Sequence, residues 1–293
     1  MVDEKNGVDK VQKLLKNSKL TEHELELIIK SAAKKPSQGQ KIEIGRPKFR
    51  YLYISDPHIG HEKFHPDLFE KAVLYSKKYD VDFIIHPGDH LEGMSGRPGQ
   101  IYELTHIGFD KQLTYAAQLY DQFNVPIFGI DGNHDGWYED KNNAGAIVGK
   151  ELEARVKNYT HLGQMEGNLN VDGVHIMLYH GADGTAYADS YKIQKLIESF
   201  TGGQKPNIIH SGHYHKHLTD FKRNVWGVES GTLCGQTRFM RGKKLEATQG
   251  FGIVTVSLTP NARDMEVEHR WVPYFEKEKN LFSYATPVKK LKK

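Results

Sequence analysis

The sequence predicts a layered α/β fold, and three observations carry that expectation. Short apolar runs at 50–55, 82–86 and 125–130 are separated by segments of helical spacing, the pattern of parallel β-α units. From residue 171 onward apolar runs follow one another with a single helical segment between them. Several of these runs end in Gly, Asp or His clusters, as strands do when they feed functional loops.

Taken in order, residues 8–33 carry Val8, Val11, Leu14 and Leu15 at helical spacing. Thr21 with Glu24 three residues on is a capping box for a second helix bearing Leu25, Leu27, Ile28 and Ile29. Residues 34–47, rich in Lys, Pro, Ser, Gln and Gly, read as a linker. Arg50–Ser55 is a buried strand, 66–79 a helix and Asp82–His86 a strand; 101–123 contain a long helix, and Val125–Ile130 is a strand. Asp172-Gly173 marks a hairpin turn. Strands follow at 174–179, 207–210, 224–228, 252–258 and 265–271, with one helix over 187–200. The organisation expected is a helical extension with linker (1–46), one main domain (47–272) and a basic tail (273–293) ending in Lys-Lys-Leu-Lys-Lys.

Composition narrows the class. The 293 residues are 38% hydrophobic, 11% aromatic and 26% charged, enough apolar surface for a sizeable core. No apolar stretch approaches the ~20 residues of a spanning helix, and MVDEKNGVDKVQ has no signal-like apolar region. Cys234 is the only cysteine, which excludes a disulfide framework and a cysteine-built zinc or iron–sulfur site. A cytoplasmic protein without membrane contact is the expectation; oligomeric state is open. The net charge of +3 is uneven. Residues 1–50 hold 12 Lys/Arg against 7 Asp/Glu and residues 260–293 hold 8 against 5, so the centre is acidic. Basic ends suit a polyanionic partner such as nucleic acid, or serve as solubilising tails.

Five clusters carry the chemistry: Asp56-Pro57-His58, Gly88-Asp89-His90, Gly132-Asn133-His134-Asp135, His180-Gly181 and Gly212-His213-Tyr214-His215. Each follows an apolar strand. Any one alone is ordinary turn chemistry, and His180 alone would be a core histidine. Carboxylate, imidazole and amide donors without thiolate suit Mn²⁺, Fe²⁺, Zn²⁺ or Mg²⁺. Six or seven donors are too many for one tetrahedral ion and about right for two ions sharing a carboxylate.

The order Asp-x-His, Gly-Asp, Gly-Asn-His-Asp, His, Gly-His-x-His resembles the calcineurin-like metallophosphoesterase superfamily, whose fold is a β-sandwich flanked by helices. Its catalytic part is similar to SbcD-type DNA-repair nucleases. The stretch Gly231–Phe239 is similar to one in archaeal DNA-polymerase small subunits. The resemblance implies two divalent ions, Mn²⁺ first, with Fe, Zn, Ni or Mg as alternatives. Asp56, His58, Asp89 and His215 would hold one ion, and Asp89, Asn133, His180 and His213 the other. His134, close to the scissile phosphate, would be the general acid that protonates the departing alkoxide, while the ions would supply an ionised water as nucleophile. Glu92 would orient it, standing where many members have a shorter Asp. Substrate contacts would come from Asn133, Arg97, Trp137 and His90, the last open between a contact and a loop filler. His61 and His65 read as surface residues, His86 as a core partner, His217 as a support for His215 and Tyr214 as packing. The activity implied is phosphodiester hydrolysis, in nucleic acid first. The alternatives are a phosphodiesterase or phosphatase on small nucleotides, and a weakly active nucleic-acid-binding subunit.

Overall fold

The computed structural model describes residues 39–201, 205–259 and 265–275. The helices expected within 8–33 and most of the C-terminal tail lie outside the described residues.

Two six-stranded sheets form the main unit. The strands are β1 (Gln40–Ile42), β2 (Lys48–Tyr53), β3 (Phe83–His86), β4 (Ile127–Asp131), β5 (Tyr159–Gln164), β6 (Glu166–Val171), β7 (Val174–His180), β8 (Ile208–Gly212), β9 (His217–Lys222), β10 (Val225–Ser230), β11 (Gly250–Leu258) and β12 (Met265–Pro273). One sheet runs β12-β11-β2-β3-β4-β5, the other β1-β6-β7-β8-β10-β9. In the first, β2, β3, β4 and β5 are parallel, with antiparallel β11 and β12 at one edge. In the second, β8 lies parallel to both β7 and β10.

Side-chain alternation explains the layering. Along β2, Tyr51 and Tyr53 join Phe83, Ile85, Leu178 and Val228 in the core between the sheets. Leu52 and Ile54 point the other way, into a core shared with α1 (Pro66–Lys78) and α2 (Phe109–Tyr120). Strands buried on both faces read as unbroken apolar runs, which is how β2, β3 and β4 appear in sequence. Helix α1 starts with Pro66 in its first turn and ends on Lys77 and Lys78, and it buries Leu68, Phe69, Ala72 and Val73. Helices α3 (Val148–Arg155), α4 (Tyr191–Ser199) and α5 (Arg238–Lys243) follow. Helix α4 lays Ile193 and Ile197 on Met177, Ile209 and Val225, covering the outer face of the second sheet. A large-to-small change in either main core should cost about 2–5 kcal/mol.

Several expectations are corrected. Residues 40–42, expected in the linker, form β1, which pairs in parallel with β6, and the compact unit begins at Gly39. The long helix expected within 101–123 is α2, which starts after Gly108 at φ 94° and is preceded by a separate 3₁₀ turn at Gln100–Glu103. Strands β5, β6 and β9 and helices α3 and α5 went unpredicted. Their half-buried mixed sequences, such as His217–Lys222, lack a clear period.

Candidate metal centre

Loops at the carboxyl ends of five strands meet at one rim. Asp56 and His58 follow β2, Asp89 follows β3, and Asn133 and His134 open a single helical turn after β4. His180 is the last residue of β7, and His213 and His215 follow β8. Both sheets therefore contribute. Asp56, His58, Asp89, His213 and His215 all have positive φ, between 48° and 84°. Left-handed backbone in non-glycine residues costs roughly 1–2 kcal/mol each, and such strain concentrates where side chains must be aimed. Glycine permits the close approach elsewhere. Gly88 has φ 102°, and a Cβ there would run into His180 Nδ1; a Cβ on Gly132 would run into Asp89 Oδ1.

Three groups of donors converge: Asp56–His58–His215, Asp89–His180–His213 and His58–Glu92–His134. His58 Nε2 and His215 Nε2 face each other at 2.9 Å, and His215 Nε2 is 3.5 Å from Asp56 Oδ1. His180 Nε2 and His213 Nδ1 both approach Asn133 Oδ1, at 3.0 and 2.8 Å. Asp89 Oδ2 lies 3.3 Å from His180 Nε2 of its own group and 3.7 Å from His58 Nε2. Backbone amides hold the carboxylates: His134 N donates to Asp89 Oδ1 at 2.8 Å and His213 N to Asp56 Oδ1 at 2.9 Å. Thr232 Oγ1 donates to the Asp56 carbonyl at 2.7 Å. Imidazole nitrogens and buried carboxylate oxygens converging within 4.8 Å of one another fit divalent cations.

The electrostatics agree. Burial alone would raise Asp89, but His180 and His134 hold its carboxyl well below the usual range. Conversely, burial works against charge on His180 and His134, yet Asp89 leads the groups that raise both to about 9. His213, where burial dominates, falls to about 4. The rim thus favours positive charge beside Asp89, whether proton or metal ion.

His134 Nδ1 donates to the Glu92 carbonyl at 2.8 Å, and Glu92 Oε2 lies 3.4 Å from that nitrogen and 3.2 Å from His58 Nδ1. The extra methylene of Glu92, relative to Asp, lets one carboxylate touch both rings. Trp137 packs on the His134 ring at 3.9 Å between centroids. These groups line a cleft of 1320 Å³ that also includes Asn133, Arg97 and Phe239.

Other residues fall elsewhere. His90 is corrected as a substrate contact: it is fully buried behind the rim, between Tyr120 Oη at 2.8 Å, Tyr159 Oη at 2.8 Å and the Ile130 carbonyl at 3.0 Å. Its neighbour Asp89 takes positive φ, which turns successive side chains away from one another. His61 is not a surface residue, and His65 is half-buried. His61 is buried at the cleft wall, 3.5 Å from Glu103, and His65 packs on Tyr274. His86 is a core partner, stacked on His90 at 3.8 Å. His217 does not support His215; it stacks on Trp271 at 3.6 Å, because the left-handed backbone at His215 breaks the strand alternation. Tyr214 is packed, donating to Asp183 at 2.6 Å.

Sequence reasoning gave no role to Asp135. Its carboxylate accepts from the amides of Gly132, His90 and Leu91 and so ties the Asp89 loop to the Asn133 loop. Its place in Gly-Asn-His-Asp was the available signal. Gln100, which donates to Glu92 Oε1 at 3.0 Å, gave none.

The profile of the calcineurin-like phosphoesterase superfamily domain matches residues 49–257. The DNA polymerase II small subunit of Archaeoglobus fulgidus is 24% identical over 245 residues, covering 69% of this chain and 50% of that protein. The protein of the same name from Methanothermobacter thermautotrophicus is 26% identical over 247 residues, covering 69% of this chain and 51% of its own. The chain thus spans about half the length of the curated relatives it matches. Among solved structures, one titled as a novel archaeal phosphodiesterase is 14% identical, covers 76% of this chain and all of its own, and has a TM-score of 0.45. No helix among the described residues is long and apolar enough to cross a membrane.

Proposed function

The chain belongs to the calcineurin-like phosphoesterase superfamily, and from that premise we propose that it hydrolyses phosphodiester bonds in nucleic acid, DNA first, at a two-metal centre. The observation that carries this reading is Asp89 Oδ2, which lies 3.3 Å from His180 Nε2 of its own donor group and 3.7 Å from His58 Nε2 of the Asp56–His58–His215 group, in one cleft. Asp56, His58, His215 and Asp89 would hold one divalent ion, and Asp89, Asn133, His180 and His213 the other. When bound, the ions supply Lewis acidity toward the phosphoryl oxygens and a water ionised near neutral pH. Mn²⁺ is the first choice, with Fe, Zn, Ni and Mg sharing the same donor chemistry.

The protein's own groups do the rest. Nδ1 of His134 is committed to the Glu92 carbonyl, which leaves Nε2 for the cleft. Kept protonated by Asp89 and Glu92, that ring can deliver a proton to the departing alkoxide, a poor leaving group without one. Glu92 positions the ring and, through His58 Nδ1, a donor of the metal centre. Trp137 fixes the other side of His134 and offers an aromatic face to a base.

The match to DNA polymerase II small subunits favours a second reading: a nucleic-acid-binding subunit of a larger assembly, with weak activity of its own. A small-nucleotide phosphodiesterase or phosphatase is the remaining outcome. A cytoplasmic place without membrane contact accompanies each of these.

The test is a parallel assay with Mn²⁺ on single- and double-stranded DNA, RNA, bis-p-nitrophenyl phosphate and p-nitrophenyl phosphate, with Asp89→Asn as control. Metal-dependent cutting of polymers, lost in the control, is expected. Activity confined to small esters would move the reading to small nucleotides. DNA binding without hydrolysis would move it to the subunit.

A further inference from the structure

One wall of the cleft is built around Arg97. Its Nη2 donates to Glu103 Oε2 at 2.9 Å, and its Cζ lies 5.3 Å from the centroid of the Phe239 ring. Phe239 comes from α5, far away in sequence, and is 49% exposed. The Arg97 side chain is 38% exposed, so it is held from two directions without being buried. Its other guanidinium nitrogens make no hydrogen bond among the described residues. A guanidinium stacked and paired in this way has lost much of its rotamer freedom before any phosphate arrives, which favours binding.

The same arm is tied to the reaction centre. Gln100 Oε1 accepts from Ser95 N and Oγ at 2.8 and 2.9 Å, and Gln100 Nε2 donates to Glu92 Oε1 at 3.0 Å. Ser95 Oγ in turn accepts from Arg97 N at 3.1 Å. A hydrogen-bonded chain therefore runs from His134 through Glu92, Gln100 and Ser95 to Arg97. The arm is a fixed part of the cleft wall.

We infer that Arg97 and Phe239 form a subsite for the nucleotide next to the scissile phosphate in a single strand. Phe239 presents a ring to a base, and Arg97 presents a guanidinium to the adjoining phosphate. The inference rests on the phosphodiesterase reading and narrows it to substrates with at least one nucleotide beyond the cleaved bond. On this inference a small diester needs only the donor groups of the 1320 Å³ cleft, and the Arg97–Phe239 wall adds nothing to its binding. A base paired in a duplex has no free face for Phe239, so the subsite selects unpaired strands.

The experiment measures kcat/KM with Mn²⁺ for a short single-stranded DNA oligonucleotide, its duplex and bis-p-nitrophenyl phosphate. The proteins are wild type, Arg97→Ala, Arg97→Lys, Phe239→Ala and Phe239→Tyr. The oligonucleotide-to-small-diester ratio is expected to fall about tenfold or more in Arg97→Ala and Phe239→Ala, mainly through KM, and to recover in Phe239→Tyr. Arg97→Lys should recover only part, since it keeps the charge and loses the planar fork. An unchanged ratio overturns the subsite, as does an equal loss on both substrates or a preference for duplex. Wild-type hydrolysis of the small diester alone overturns it too, while leaving a phosphoesterase. If wild type hydrolyses no ester, the underlying reading fails instead. Anisotropy of a labelled oligonucleotide then decides: tenfold weaker binding by Phe239→Ala supports the subsite, and equal binding overturns it.

Discussion

Glu92 holds His134 with two groups at once: its carbonyl accepts from Nδ1 at 2.8 Å, and its Oε2 lies 3.4 Å from the same nitrogen. One residue thus sets both the direction of the ring and part of its charge. Removing only the charge, as in Glu92→Gln, leaves the carbonyl contact in place. His134 is raised toward protonation by Asp89 first and then by Glu92, against its burial. Loss of the Glu92 charge lowers its pKa, so the basic limb of the kcat profile should move to lower pH with KM little changed. A limb that stays in place would show that Glu92 does not tune the ring.

His134→Ala should keep its metal and lose about 10²–10⁴-fold in kcat on unactivated diesters. The loss should be smaller on bis-p-nitrophenyl phosphate, whose leaving group needs little protonation. Equal losses on both substrates would remove the acid role.

Asp89→Asn should weaken both ions together, because Asp89 Oδ2 stands within 3.7 Å of a donor nitrogen from each group. Metal analysis after dialysis checks this. Loss of one ion with full retention of the other would place Asp89 in a single site.

Gly88→Ala should reduce metal retention while leaving the fold intact. Its φ of 102° is unfavourable for any residue with a Cβ, and the added carbon meets His180 Nδ1. Circular dichroism checks folding and metal analysis checks retention. Normal retention would mean that the β3 loop yields freely.

Glu229, buried on β10, should make stability fall with pH. Burial pushes its carboxyl up to about 8, with Asp56 and Asp189 adding and Lys216 opposing. Its folded pKa lies above the unfolded value of 4.5, so the folded state holds the extra proton between these values. The contribution is present below about pH 4.5 and is lost as pH rises toward 8. Glu229→Gln should therefore gain stability over wild type progressively across that window, by a few kcal/mol at most, seen as a growing Tm difference. A Tm difference that does not vary with pH would show that the carboxyl is solvated.

By itself the sequence determined the elements whose two faces are both buried and the loops that follow them. Tyr51, Leu52, Tyr53 and Ile54 form an unbroken apolar run because alternate residues enter different cores. Asp56, His58, Asp89, Asn133, His134, His180, His213 and His215 are legible because small, polar, turn-permitting residues directly follow such strands. The tertiary structure decided what depends on distance between segments. Only the pairing of β2, β3 and β4 with their loops, against β7 and β8 of the other sheet, sets Asp89 beside both His58 and His180. Only the left-handed backbone at Asp89 and His215 sends His90 into the core and His217 onto Trp271. The arm from Glu92 through Gln100 to Arg97, meeting Phe239 from α5, has no local pattern. Side-chain period reports burial along one segment, while hydrogen bonds and ring contacts between remote segments exist only once the chain has closed on itself.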